Sequence, residues 1–154
     1  MTEMHSVTDR RRAREIALHI VYERSFDADS LEGILNRRLA NESFASLAGD
    51  LKAYGEELPV SECEYLRTLV LGIGEKKAEL DDIISRNSQN WKIERISKIG
   101  RAVLEIALYE IREMDDIDVS VSINEAVELA KNYDSEEAAA FVNGVLGGYA
   151  RSST

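Results

Sequence analysis

Apolar residues recur along this chain with the spacing of helices rather than of strands. From about Asp9 to Phe26, Ala13, Ile16, Ala17 and Ile20 share one face of a 3.6-residue repeat, with Val21 beside them. Asp9 is placed to cap the first turn. Leu31, Ile34, Leu35 and Leu39 mark a short amphipathic helix, and the stretch from Phe44 to Ala53 carries the pattern of another. Gly49, Gly55 and Glu56-Glu57-Leu58-Pro59 read as loop or linker. Ser61 with Glu64 then predicts a capping box at the head of a long periodic segment through Leu66, Leu69, Val70, Ile73, Leu80, Ile83 and Ile84. Gly72 and Gly74 interrupt it. Glycine in a helix costs about 1 kcal/mol against alanine, so a close backbone approach or a bend is expected there.

After Asn87-Ser88-Gln89-Asn90 the helical period resumes, with Ile96, Ile99, Val103, Ile106 and Ala107 on one face and Ile111 and Met114 extending it. Residues Asp115 to Ser120 read as a turn, and Ser122 with Glu125 as a second capping box ahead of Ala126, Val127 and Ala130. Asp134, with Glu137 three residues on, predicts the start of a last helix buried through Ala138, Phe141, Val142, Val145 and Tyr149, which Gly147-Gly148 weakens or ends. The expected fold class is therefore all-α, a bundle of about six or seven helices, with no internal repeat and no low-complexity segment.

Composition fits that picture. In 154 residues, 44% are apolar and 31% charged, enough for a packed interior and too apolar for a disordered chain. The single proline leaves little to break helices. One cysteine, Cys63, excludes an internal disulfide and a cysteine-based zinc cluster. No apolar run has membrane-spanning length and no signal peptide is visible, so the expected location is cytoplasmic, without a membrane partner. The last four residues, Arg151-Ser152-Ser153-Thr154, read as a natural end.

Catalytic chemistry has nothing to stand on. His5 and His19 lack a cysteine or acid at metal spacing, Cys63 has no fixed partner, and no phosphate-binding or nucleophile motif is present. Leu71-Gly72-Ile73-Gly74 is too short and apolar for a phosphate loop, and Asp81-Asp82 and Asp115-Asp116 read as solvated acids. No enzyme activity, cofactor or metal is expected.

The formal charge of −10 is unlike a nucleic-acid binder, but binding depends on local patches. Arg10-Arg11-Arg12-Ala13-Arg14 is such a patch, at the positive end of a helix dipole, where cations are unfavourable. Only Asp9 and Glu15 are near in sequence. An arrangement that costs stability suggests a use for the charge.

Three blocks carry a family resemblance. Ala107-Leu108-Tyr109-Glu110, Ile123 to Lys131 (INEAVELAK) and Phe141-Val142-Asn143-Gly144-Val145-Leu146 resemble, in order and spacing, the C-terminal half of the NusB family. Arg10-Arg11-Arg12-Ala13-Arg14-Glu15 with Ala17 and Tyr22 resembles that family's N-terminal arginine-rich motif. The similarity is strongest from Ile96 to Ala150 and weak between Ser30 and Leu58.

The resemblance implies one domain over residues 1–154, made of two antiparallel helical subdomains packed across each other, with halves near 9–90 and 92–150. It also implies a transcription antitermination factor. Such a factor binds a short single-stranded element of the ribosomal RNA leader jointly with NusE, a ribosomal protein, and helps RNA polymerase read through terminators. The RNA-binding residues it implies are Arg10, Arg11, Arg12 and Arg14 for phosphates, Tyr22 and Phe141 for stacking, and Asn143 beside Gly144 for a base edge. Tyr22 also fits an ordinary half-buried tyrosine, Phe141 a core position, and Asn143-Gly144 a close helix–helix approach. Asn124 and Glu125 read as structural.

Ala140 stands where relatives carry a basic residue, and Ile117-Asp118-Val119-Ser120 lacks their proline and lysine. Both departures, with the net charge, point to weaker RNA binding alone and greater reliance on the partner, whose basic surface acidic side chains would attract. Two alternatives stay open: an accessory RNA-binding domain like that of RNA cytosine methyltransferases, and a protein-interaction bundle without RNA. Monomer and homodimer are both compatible with the sequence.

Overall fold

A computed structural model describes residues 7–24, 33–36, 58–89 and 96–152. Among the described residues all regular structure is helical, as the apolar spacing predicts. The elements are α1 (Val7–Arg24), α2 (Val60–Glu75), α3 (Lys77–Arg86), α4 (Lys98–Glu113), α5 (Val119–Tyr133) and α6 (Glu136–Ser152), with residues 33–36 also helical. Phe26, Leu31, Leu39, Trp91 and the helix expected over Phe44 to Ala53 lie outside the described residues. The chain divides into two compact units, Met1–Leu71 and Gly72–Thr154.

In the first unit, α1 buries Ala13, Ile16, Ala17, Ile20 and Val21 as the spacing predicts, and also Arg14 and Leu18. At about 100° per residue these positions span an arc of roughly 200°, so α1 is enclosed well beyond a single stripe. Ile34, Leu35 and Leu58 are buried, and α2 contributes Tyr65, Leu66, Leu69 and Val70.

The second unit is built on α4, against which α3, α5 and α6 each pack, with α5 also on α6. Because neighbours lie on several sides, every residue from Ala102 to Glu110 is buried, not just one face. Ile96, expected inside this helix, precedes it: Ser97 caps the helix, its side-chain oxygen accepting from the Gly100 amide at 2.8 Å. The remaining core comes from Leu80, Ile83 and Ile84 of α3, Ala126, Leu129 and Ala130 of α5, and Ala139, Phe141, Val142, Val145 and Leu146 of α6.

Helix starts differ from the expected caps. The long periodic segment is two helices, broken at Lys76. The Pro59 carbonyl accepts from the Glu62 and Cys63 amides at 3.0 Å, so α2 begins before Ser61, which is a helical residue and not its cap. Similarly, Asp118 opens α5 and its carbonyl accepts from the Ser122 amide at 3.1 Å. Ser122 is thus a turn inside the helix and buried. At the last helix the cap is Ser135, accepting from the Ala138 amide at 3.0 Å, while Asp134 terminates α5. Gly147-Gly148 does not end α6, which runs on to Ser152.

Gly72 does mark a close approach. A Cβ built there would lie 2.2 Å from Cζ and Oη of Tyr109, so the Tyr109 ring occupies the space that any other residue's side chain would need.

Candidate nucleic-acid interface

The four arginines of α1 do not form one uniform patch. Arg10 and Arg14 are four residues apart and share a helical face. On that face the Arg10 Nε donates to Glu62 Oε1 of α2 at 2.6 Å; the Glu62 side chain is fully buried and that of Arg10 is 17% exposed. The Arg10 guanidinium lies 4.0 Å from the Tyr65 ring centroid and that of Arg14 5.9 Å from it, both within cation–π range. Arg14 is only 5% exposed. Of the four arginines expected to face phosphate, Arg14 is buried and Arg10 is largely covered within the first unit.

Arg11 and Arg12 point elsewhere, about 100° and 200° around the helix from Arg10. Arg11 is exposed. Arg12 Nη1 donates to Asp9 Oδ1 at 3.2 Å, three residues earlier. Magnitudes separate these pairs. Removing one partner of a buried ion pair costs about 3–5 kcal/mol because the other charge is stranded. An exposed pair along a helix surface contributes about 0.3–0.5 kcal/mol; the Arg12–Asp9 pair, with the Arg12 side chain 12% exposed, lies between the two cases. Arg10 cannot leave Glu62 so cheaply.

The sequence reading missed Glu62, although a signal was present. Glu62 sits in register with Tyr65, Leu66, Leu69 and Ile73, the buried stripe of α2. An acid in that stripe requires a cation partner, and a compensating charge for the arginines arrives from 52 residues away rather than from local sequence.

Tyr22 also lies on α1 and is half-buried. Phe141 and Asn143 lie on α6, in the other compact unit. Phe141 is 5% exposed, with its Cδ2 3.9 Å from where a Cβ on Gly100 would stand. That is a core position against α4, and not an open stacking platform. Asn143 and Gly144 are both exposed, so helix packing does not account for the glycine.

A second charged cluster, also unforeseen, joins α3 to α4. Lys77 Nζ bridges Asp81 Oδ2 at 2.8 Å and Glu105 Oε2 at 3.0 Å, and Arg101 Nη1 lies 3.4 Å from Asp81 Oδ1. Asp81, read from sequence as a solvated acid, is a partner in this network. Burial, then a hydrogen bond with Asp81, pushes the Glu105 carboxyl up to about 7. Burial opposes the charge on Asp81, but hydrogen bonds with Glu105 and Lys77 outweigh it and hold its carboxyl below the usual range. Glu110, fully buried in α4, accepts from Ser122 Oγ at 2.8 Å. Among the described residues no group of histidine, cysteine and carboxylate side chains is arranged to hold a metal, and no helix is long and apolar enough to cross a membrane.

A sequence model of the NusB family matches residues 11–151. The transcription antitermination protein NusB of Clostridium botulinum (strain Kyoto / Type A2) is 36% identical over 139 residues, spanning 90% of this chain and 97% of the relative. That of Ruminiclostridium cellulolyticum is 42% identical over 137 residues, spanning 89% and 85%. Among solved structures, T. maritima NusB superposes with a TM-score of 0.76 at 32% identity, covering 92% of this chain and 90% of that one. A chain from the crystal structure of a plectonemic RNA supercoil shares the fold, with a TM-score of 0.68 at 23% identity over 95% and 97%.

Proposed function

The chain belongs to the NusB family, and from that premise we propose that it is a transcription antitermination factor acting through RNA. It binds a short single-stranded element of nascent ribosomal RNA leader together with NusE, and the complex helps RNA polymerase read through terminators. The observation that carries this reading is the family match across residues 11–151, which includes most of the arginine-rich start of α1.

Physical chemistry supports the assignment of roles. Single-stranded RNA is held by cations along its phosphates and by planar side chains against unpaired bases. The α1 cluster supplies the cations, half-buried Tyr22 on the same helix a ring, and exposed Asn143 an amide able to reach a base edge. The overall charge of −10 opposes RNA at long range, which fits a division of labour with a basic partner. Exposed Glu113, Asp115, Asp116 and Asp118 at the α4–α5 turn offer such a partner complementary charge.

Fluorescence anisotropy with a labelled ribosomal leader RNA, with and without NusE, tests the reading against a scrambled RNA of equal length. Binding of the leader RNA that tightens with NusE and exceeds binding of the scrambled strand is expected. A folded protein that prefers neither RNA, with or without NusE, refutes it and favours a protein-interaction bundle.

A further inference from the structure

We propose that α3 is a flap, clasped to α4 by charged side chains on both flanks, which opens as a unit while α4, α5 and α6 stay packed. Its apolar hold is small. Of its 10 residues only Leu80, Ile83 and Ile84 are buried, whereas α4 buries an unbroken run from Ala102 to Glu110. A single residue, Lys76, separates α3 from α2. At its other end Asn87 meets a bare position of α6, where a Cβ on Gly148 would stand 3.3 Å from Asn87 Oδ1.

Charged pairs supply the rest of the attachment. In the first clasp, Lys77 Nζ reaches Glu105 Oε2 of α4 at 3.0 Å, and Arg101 Nη1 of α4 reaches Asp81 Oδ1 at 3.4 Å. In the second, Arg112 Nη2 reaches Glu79 Oε1 at 3.2 Å, and Lys76 Nζ reaches Glu113 Oε2 at 3.8 Å. At about 100° per residue, Lys77 and Asp81 lie on one side of the buried stripe of α3 and Glu79 on the other. Single exposed pairs contribute little, but these are linked: Lys77 also holds Asp81 at 2.8 Å and Lys76 holds Glu79 at 3.7 Å.

The clasps differ in exposure, and so in what loosens them. Side chains of the second are 28% to 54% exposed, open to screening by salt. The Glu105 side chain is 4% exposed and lies under α3. Lys77 and Asp81 of α3 are the charged groups that meet it, with Arg101 of its own helix acting through Asp81. Among the described residues α5 and α6 place no ion-pair partner on it. Burial, then the hydrogen bond with Asp81, sets its folded carboxyl at about 7 against an ordinary 4.5. Below neutrality the retained proton joins the two carboxyls beneath Lys77. Above it Glu105 carries a buried charge, which release of α3 hydrates. A raised folded value therefore holds α3 down at low pH and frees it as pH climbs through 7.

Hydrogen–deuterium exchange of the whole chain, read by mass spectrometry on peptides from α3, α5 and α6, tests the flap between pH 5.5 and 8.5, each rate being corrected for the intrinsic rise of exchange with pH. Release that hydrates Glu105 should raise α3 opening about thirtyfold across that range, while α5 and α6 keep their protection. Glu105→Gln should flatten the α3 profile. At pH 6, raising salt from about 0.05 to about 0.5 M should lower α3 protection relative to α5 and α6. No RNA or partner protein is needed, so the outcome leaves the antitermination reading untouched. Protection of α3 that falls no more than that of α5 and α6, in pH or in salt, overturns the flap. So does a pH profile that persists in folded Glu105→Gln.

Discussion

Glu105 should make the protein lose stability as pH rises through neutrality, against the usual behaviour of a carboxylate in an ion pair. The carboxyl is 3% exposed as a residue in α4, and its folded value is about 7 against an ordinary 4.5. A raised folded value means the native state holds a proton that the unfolded chain releases. The contribution is therefore fully present below about pH 4.5 and is lost as pH climbs through 7. A difference of about 2.5 units corresponds to roughly 3 kcal/mol, at about 1.4 kcal/mol per unit. Asp81, held below its ordinary range, contributes in the opposite sense, but its loss falls at pH values under 4 and leaves the window between 4.5 and 7.5 to Glu105.

The comparison that isolates this effect is Glu105→Gln, since the amide can donate toward Asp81 and accept from Lys77 as the protonated acid does. Urea unfolding followed by circular dichroism, at half-unit steps from pH 4.5 to 8, yields both stability curves. The difference between variant and wild type should shift by roughly 3 kcal/mol across the series in favour of glutamine at high pH. Parallel curves, separated by a constant amount, would refute the reasoning. They would mean that Glu105 is ionised throughout and that Lys77 compensates its burial completely.

Gly72→Ala should destabilise the protein by up to about 2 kcal/mol in chemical denaturation, because overpacking against the buried Tyr109 ring costs about 1–3 kcal/mol and the gain in helix propensity offsets only about 1 kcal/mol. Paired with Tyr109→Ala, the same substitution should cost less than in the wild type, so that the double variant is less destabilised than the sum of the two single ones; simple additivity would exclude the contact as the cause. Ser97→Ala removes the α4 cap and should lower stability by about 1 kcal/mol with little change in RNA affinity, readable by thermal melting beside anisotropy. A loss of RNA affinity in folded Ser97→Ala would contradict the purely structural role.

Helical periodicity made the class of fold legible, since α1 and α3 bury residues at the positions the spacing selects, as α6 does at Phe141, Val142 and Val145 but not at the half-buried Ala138 and Tyr149. Helix ends were less so. Serine-acid pairs occur inside α2 and α5, where Ser61 is helical and Ser122 hydrogen-bonds Glu110 across helices, so the capping pattern alone did not locate the first turn. The arginine run was legible as a local anomaly. Its buried partner was not, because Glu62 reaches it only after α1 and α2 have folded together. Buried acids were the common blind spot. Glu62, Glu105 and Glu110 each stand in register with apolar neighbours, and a reading that tracked only apolar positions gave Glu62 and Glu105 no place and left both charged clusters unseen.

Ribosomes make this chain in one direction, and α4 is covered from both earlier and later sequence. Its buried run, Ala102 to Glu110, needs α3 on one side and α5 and α6 on others. While the nascent chain is still emerging, that run stands bare of its last two covers, an adhesive surface among other proteins. The connections are short, residues Met114 to Asp118 and Asp134 to Ser135, so closure is fast once α6 is released. The interval of vulnerability is thus set by the translation time of about forty residues, not by the search for the native packing.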